Sequence, residues 1–335
     1  DSRSRKGTAV VSQVLSMILT VVAGIAAALV VYWALNKLAE ALPGRWENRI
    51  KPYLYVAPAV AAIGVYLVYP TVITVINSFK SSDGSRFVGL DNFGKLLGTP
   101  AFRQTLFNTL LWIAVVPAAC IVVGLLVATL ADRLTPRAEK AAKTVVFMPM
   151  AISAVGSATV WRFMYAAQPA GQPQTGLLNG IVTAFGHDPV PWLQQSTLHA
   201  NSLLLMVMLL WGQTGFSMVL LSAAIKGVPA ETLEAARLDG AGELRIFWRI
   251  IIPQIRGTVI TVFVTILITV MKIFDVIYVM TNGAFNTNVV GLEFFNQLYT
   301  NYNYGYASAI VVMLLIAIVP IMIYQIRHFR AEESA

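Results

Sequence analysis

Residues able to do chemistry gather in a few places along a mostly apolar chain. The most conspicuous is 226–256, KGVPAETLEAARLDGAGELRIFWRIIIPQIR, a polar interruption between two long apolar runs. Val228-Pro229 ends the helix before it, because proline cannot continue one, and Glu231 and Glu234 then fall in the opening turns of a short helix whose dipole favours anions. Gly240 stops that helix. Ala235 and Ala236 leave room for another protein surface, with Leu233 and Leu238 as apolar contacts beside them, which suits a docking helix. Beyond Gly242, the residues Leu244, Phe247, Trp248, Ile251 and Ile252 recur at helical spacing with Arg245 and Arg249 between them. That pattern predicts one amphipathic helix lying along a membrane surface.

Other chemistries lack their residues. Gly89-x4-Gly94-Lys95 imitates a phosphate-binding loop, but the next residue is Leu96, not the Ser or Thr that would hold magnesium, and no strand is predicted before it. His187-Asp188 and the later His199 offer no sensibly spaced third ligand, so no metal site is expected. Cys120, the only cysteine, lies in an apolar run and excludes an intrachain disulfide or a thiolate cluster. No paired acids or nucleophile–base set falls within one accessible stretch, so an enzyme is not expected.

The elements that position these residues follow from composition. Of 335 residues, 57% are hydrophobic and 12% charged, with a mean hydropathy of +0.69, whereas soluble domains carry about 25% charged residues. This is the composition of a polytopic membrane protein. The formal charge of +8 sits in short connections between apolar runs, where it encodes orientation, so no nucleic-acid partner is expected.

Seven apolar runs are long enough to cross a bilayer, which takes roughly 20 residues. They cover about 10–35, 53–76, 105–131, 144–165, 202–225, 258–280 and 305–324. The first is too long for the apolar core of a cleaved signal peptide. The linker 36–52 carries Lys37, Arg45, Arg49 and Lys51 against Glu40 and Glu47. The connection 132–143 is basic and is placed in the cytoplasm; 168–201 and 281–304 contain no Lys or Arg and are placed outside. In the fourth run, Pro149 accompanies a string of small residues, Ala151, Ser153, Ala154, Gly156, Ser157 and Ala158, that favour close helix packing. Counting spans back from a cytoplasmic 226–256 puts Asp1 outside, whereas Arg3, Arg5 and Lys6 favour the inside; Arg327 and Arg330 anchor a cytoplasmic carboxyl end. The expected fold is all-α, a polytopic transmembrane helical domain of about seven spans, divided into 1–52 (an extra amino-terminal helix and basic linker) and 53–335.

Glu234-Ala235-Ala236, Gly240, Ile250 and Pro253 match the EAA-x3-G-x9-I-x-L-P loop of bacterial ABC importer permeases, with Ile252 in place of Leu. The chain resembles that family over most of its length. FVGLDNF at 87–93, Asn108-Thr109, Trp161, WGQTGFSMVLL from Trp211 and KIFDVIYVMTNG from Lys272 narrow the likeness to the carbohydrate group that includes maltose permeases. The amino-terminal helix and the TNG turn are most similar to its alpha-glucoside members. The resemblance implies a six-helix importer core plus one amino-terminal helix in the bacterial inner membrane, working by alternating access. It implies a coupling helix whose contact residues are Glu231, Glu234, Ala235, Ala236, Asp239 and Gly240. The partners it implies are a second homologous permease, two ATP-binding subunits that carry ATP and Mg, an extracytoplasmic sugar-binding protein and membrane lipid. This chain itself is expected to bind no cofactor.

A sugar site needs hydrogen-bonding side chains for hydroxyls and aromatic faces for the apolar sides of the rings. The fifth run offers Trp211, Gln213 and Phe216, and by resemblance Gly212, Gln213 and Phe216 occupy positions of the maltose permeases' sugar site. Trp211 and Phe216 equally suit helix packing. In the sixth run, Thr261, Thr265, Thr269 and Lys272 succeed one another at i+4, i+4 and i+3, a polar face that either lines the path or bonds its own backbone. Lys272 and Asp275, charges costly in a membrane unless paired or wet, are expected to form an ion pair near the outer gate, with direct sugar contact as the alternative. Val270 and Ile273 stand where maltose permeases carry amides, which argues against maltose itself. The expected cargo is an alpha-glucoside oligosaccharide, maltose- or trehalose-like. The alternatives are a glycerol-phosphate importer and, from a different class, an ion-coupled secondary transporter.

Overall fold

The structure, a computed structural model, describes residues 2–40 and 44–333. Residues 41–43 of the linker, and the side chains of Arg3, Arg5, Lys6, Arg45, Glu47 and Arg330, lie outside the described set. Among the described residues there is no strand, only an isolated antiparallel bridge between Lys80 and Phe87. The chain divides into two compact units, Asp1–Ile73 and Thr74–Ala335.

In the first unit, α1 (Ser2–Glu40) is followed by α2 (Gly44–Ile63), a π turn (Gly64–Val68) and the start of α3 (Tyr69–Asn77). The expected linker is therefore mostly helix, with Pro52 inside α2. The Tyr32 and Tyr55 rings stack at 6.2 Å and the Tyr55 hydroxyl donates to Asn36 Oδ1 at 2.5 Å, tying α1 to α2. Leu19, Val22, Ile25 and Leu29 of α1 are exposed within the unit, which leaves them to lipid or other protein.

The second unit continues with α4 (Asp91–Gly98), α5 (Pro100–Ala131), α6 (Pro136–Phe147), α7 (Ala154–Met164), α8 (Leu177–Ala184), α9 (Ala200–Lys226), α10 (Ala230–Leu238), α11 (Glu243–Ile246), α12 (Ile252–Gln254), α13 (Arg256–Met271), α14 (Asp275–Met280), α15 (Val290–Phe295) and α16 (Tyr304–Glu333). Its main core lies where α5 meets α9 and α13, around Trp112, Val116, Cys120, Leu205, Leu221 and Ile266. Two glycines set how closely the helices pack. A Cβ on Gly124 would lie 2.7 Å from Ser217 Cβ, and one on Gly215 2.7 Å from Phe147 Cα. Helix α9 is thus wedged between α5 and α6 with no clearance.

Two expected spans are not single helices. The fourth is α6, a 3-10 turn (Met148–Ala151) and α7, bent by 101°. Pro149 lies in that turn, Ile152 and Ser153 are extended, and Ser153 Oγ accepts the Gly156 N–H at 3.1 Å to start α7 afresh. Of its small residues, Ser157 and Ala158 are the ones fully packed. The sixth span ends at Met271 and resumes at Asp275, leaving Lys272, Ile273 and Phe274 non-helical. Among the described residues five helices are long and apolar enough to cross a membrane, and two bent pairs, α6 with α7 and Glu243–Gln254 with α13, can each supply one further crossing, up to seven.

Candidate functional site

The charged stretch folds as its residue types dictate. Pro229, with extended ψ of 127°, precedes α10, and Glu231 falls in the first turn. At the other end the Gly240 N–H donates to the Arg237 carbonyl and the Ala241 N–H to that of Ala236, both at 3.0 Å. Gly240 has φ +77°, so the helix closes with a Schellman motif that spares the last carbonyls from going unbonded. No residue of α10 is buried. Leu233 turns inward against the core, while Leu238 is 89% exposed. Glu231, Glu234, Ala235, Asp239 and Gly240 are exposed and Ala236 half-buried. Beyond the helix, Arg237 Nε donates to Glu243 Oε1 at 2.8 Å. In this polar connection the bond raises the Arg237 guanidinium and holds the Glu243 carboxyl below its ordinary range.

The amphipathic segment after Gly242 departs from the single surface helix expected. It is α11, a π turn (Phe247–Ile251) and α12, bent by 71° from α13. Pro253 has no N–H to give its preceding turn; just before it, the Ile252 N–H bonds the Phe247 carbonyl in π register. The extra residue rotates the apolar pattern. Leu244 and Trp248 become exposed, and Ile246, outside the predicted set, is the buried one.

In α9, Trp211 is exposed and Gly212, Gln213 and Phe216 are half-buried. Trp211 meets Trp161 of α7 edge-on at 5.9 Å, and Trp161 meets Tyr165 at 5.5 Å. Phe216 packs against the core, as the packing alternative required. A Cβ on Gly212 would meet nothing within 4 Å, so the surface beside Gln213 is open. In α13, the hydroxyls of Thr261, Thr265 and Thr269 donate to the carbonyls of Gly257, Thr261 and Thr265 at 2.9, 2.8 and 3.0 Å. They satisfy themselves on their own helix, yet Thr265, Thr269 and Lys272 share exposure while Val262, Ile266 and Val270 are buried. Lys272 and Asp275 do not form the expected ion pair. The break at 272–274 separates them from a common helical face, no ion pair joins them among the described residues, and Asp275 Oδ1 instead accepts the Val276 N–H at 3.0 Å. An apolar cleft of about 550 Å³ between α5, α13 and α16 is lined by residues such as Ile121, Val264, Leu267 and Pro320, and by none of the expected path residues.

Sequence reasoning missed two features. Asn108 Nδ2 donates to the carbonyls of Asn286 and Asn288 at 2.6 and 2.9 Å, and Thr109 Oγ1 accepts the Val290 N–H at 2.9 Å. The stretch 281–304, expected only as an external segment, is thereby pinned to α5 and contains α15 and a π turn (Asn296–Thr300). There Phe295 stacks on Phe274 and contacts Tyr278 and Tyr299. The second feature joins the ends of α5, α6 and α9. Lys143 Nζ lies 2.9 Å from Asp132 Oδ1 and 2.6 Å from Glu139 Oε1, and it also bonds Ser222. Lys226 bonds Glu139 and lies 3.7 Å from Asp132. The lysine ammonium groups hold the Glu139 carboxyl, in the connection before the fourth apolar run, well below the usual carboxylate range. Among the described residues no group of three His, Cys, Asp or Glu is placed to hold a metal.

A helical membrane domain with broken spans and an exposed short helix between the fifth and sixth crossings is the design of a transport permease. Residues 121–331 match the family described as binding-protein-dependent transport system inner membrane component. The chain belongs to that family, the permease subunits of ABC importers, and is a transport subunit rather than an enzyme. It is 41% identical to the alpha-glucoside transport system permease protein AglF of Rhizobium meliloti over 336 residues, 96% of this chain and 99% of that one. It is 44% identical to the osmoprotective compounds uptake permease protein GgtC of Synechocystis sp. over 281 residues, 84% of this chain and 99% of that one. A crystal structure of a bacterial ABC transporter importing the acidic polysaccharide alginate shares the fold, with a TM-score of 0.74 at 22% identity over 86% of this chain and 99% of that one.

Proposed function

We propose that this chain is one of two membrane subunits of an ATP-driven importer for an alpha-glucoside oligosaccharide, maltose- or trehalose-like, working by alternating access in the bacterial inner membrane. The observation that carries this is the 41% identity to the alpha-glucoside permease across nearly the whole of both chains. The open surface beside Gln213, with Trp211 at its edge and the exposed Thr265–Thr269–Lys272 face of α13, supplies the hydroxyl-bonding and aromatic groups a sugar needs. Helix α10, exposed through Glu231, Glu234, Ala235, Asp239 and Gly240, is the surface on which a separate ATPase docks. Two such ATPases hold the ATP and Mg, a second permease completes the path, and an extracytoplasmic binding protein delivers the sugar. The side of α10 and the carboxyl end is then cytoplasmic.

The second reading, an osmoprotective compound as cargo, is favoured by the 44% identity to GgtC. A glycerol phosphate is the weaker alternative, resting on the exposed Lys272 and on 28% identity to the sn-glycerol-3-phosphate permease UgpA of Agrobacterium fabrum. An ion-coupled secondary transporter does not fit the family. The test is uptake into proteoliposomes holding the permease pair and ATPase with the binding protein outside, offered labelled maltose, trehalose, a non-glucoside osmoprotectant and glycerol phosphate. Uptake of an alpha-glucoside that follows internal ATP and ignores ionophores is expected. Uptake that collapses with ionophores refutes ATP coupling, and uptake of only a non-glucoside refutes the cargo.

A further inference from the structure

The chain's own contacts leave α10 loosely seated. It buries no residue, and Leu233 is its one side chain packed against the core. Its position therefore depends on its flanks. On the carboxyl side stand the glycine cap and the Arg237–Glu243 pair, both exposed. On the amino side, three residues from Pro229, stands Lys226, whose ammonium bonds Glu139 at the start of α6 and faces Asp132 at the end of α5. Lys143, one turn along α6 from Glu139, binds both acids and reaches Ser222, one turn before Lys226 on α9. Ser222 Oγ donates in turn to Asp132 Oδ1 at 3.3 Å.

The composition of this cluster is informative. Two acids and two lysines cancel in charge. The side chains of Asp132, Glu139 and Lys143 are only 17–20% exposed, so each depends on its partners more than a surface ion does. Removing one charge leaves its partners unbalanced at a site where three of the four charged side chains are mostly covered by protein, Lys226 alone being half exposed. The cluster is also the point where the chain leaves α9 for α10, so a displacement of α10 is felt there first.

Resting on the importer reading above, we propose that Lys226, Glu139, Asp132, Lys143 and Ser222 are positioning residues for energy coupling. They bind the root of α10 to α5 and α6 as well as to α9, so that a push delivered at α10 moves three membrane helices as one body. Without them the push is spent in bending residues 227–229. The signature of such a role is wasted hydrolysis: the ATPase stays bound and active while less sugar crosses per ATP.

The experiment uses the reconstituted complex and reads the ratio of ATP hydrolysed to sugar transported, with ATPase stoichiometry and thermal unfolding as controls. Lys226→Met and Glu139→Gln are each expected to raise the ratio by roughly 2- to 30-fold, the range seen when coupling residues distant from either ligand are changed. Lys226→Arg, which keeps the charge and reach, should stay near wild type. The double variant Lys226→Met/Glu139→Gln should be no worse than the worse single, because the two act through one another. An unchanged ratio in both singles, a Lys226→Arg as uncoupled as Lys226→Met, or effects that multiply in the double variant would each overturn the proposal. If a charge variant does not assemble, Ser222→Ala decides with the same readout: a raised ratio supports the cluster, an unchanged one overturns it. A wild-type complex that shows no ATP-dependent uptake sinks the importer reading itself, whereas a coupled wild type with unaffected variants sinks only this inference.

Discussion

Gly240→Ala isolates what the shape of the docking loop contributes. Gly240 has φ +77° and a Cβ built there meets nothing within 4 Å, so no clash confuses the result and the whole cost is conformational. Holding an L-residue in the left-handed region costs about 1–2 kcal/mol. The chain has two ways to respond. Either it keeps the turn and bears that strain, or it relaxes and gives up the Gly240-to-Arg237 and Ala241-to-Ala236 hydrogen bonds. A bias of about 1.4 kcal/mol is a tenfold change in the population of the native turn, so binding-protein-stimulated ATP hydrolysis and sugar uptake should fall together by about 5- to 30-fold at limiting ATPase. Thermal unfolding of the membrane domain should stay unchanged, because Leu238, Asp239 and Gly240 at the turn are exposed and pack against no core residue. Gly240→Asn, a residue that tolerates the left-handed region, should recover most of the loss. Gly242→Ala should be silent, since Gly242 has φ −68° and open space around its Cβ. Full coupling in Gly240→Ala, or an equal loss in Gly242→Ala, would show that the left-handed turn is not what the ATPase reads.

Two further expectations concern α9. Gln213→Ala should raise the KM for sugar uptake several-fold without loss of assembly, because the side chain borders open surface; kinetics identical to wild type for the sugar and its analogues would remove Gln213 from the path. Gly215→Ala forces a methyl to within 2.7 Å of the Phe147 backbone and should destabilise the detergent-solubilised protein by about 1–3 kcal/mol, read as a lowered Tm, whereas Gly212→Ala on the open side should leave the Tm in place.

What was legible in the sequence was what local residues decide. Pro229 and Gly240 bracket α10 because each acts through its own backbone, and the apolar runs mark the crossings because the bilayer demands length. The breaks were less legible. Pro149 lies in the turn of the fourth crossing, but the 101° bend is completed by Ser153 restarting α7, a capping act that a helical pattern hides. The interruption at Lys272–Phe274 contains neither proline nor glycine. It is matched by a residue far along the chain: Gly291 lets the backbone approach so closely that a Cβ there would lie 2.4 Å from the Ile273 carbonyl. The spacing of Thr261, Thr265 and Thr269 puts them in one row on α13, but spacing alone does not show that each hydroxyl is bonded to the turn before it. The charged cluster joins Glu139 to a lysine 87 residues away, a pairing that no local pattern encodes.

The bend in the fourth crossing has a consequence for how the protein is made. Helix α7 has 11 residues and so measures only about 16 Å, roughly half the 30 Å apolar thickness of a bilayer. Helix α6 carries Glu139, Lys140 and Lys143 among its first eight residues, so its apolar part is shorter still. Neither piece is a membrane anchor by itself, and the extended residues between them expose backbone groups that lipid cannot satisfy. The fourth segment is therefore expected to enter the membrane as an unfinished crossing. It becomes stable only when α9 and then α14 arrive to pack against it, so chains truncated before residue 280 should leave this segment accessible to aqueous thiol reagents at an introduced cysteine. Insertion of this protein is in that sense completed from its carboxyl half backwards.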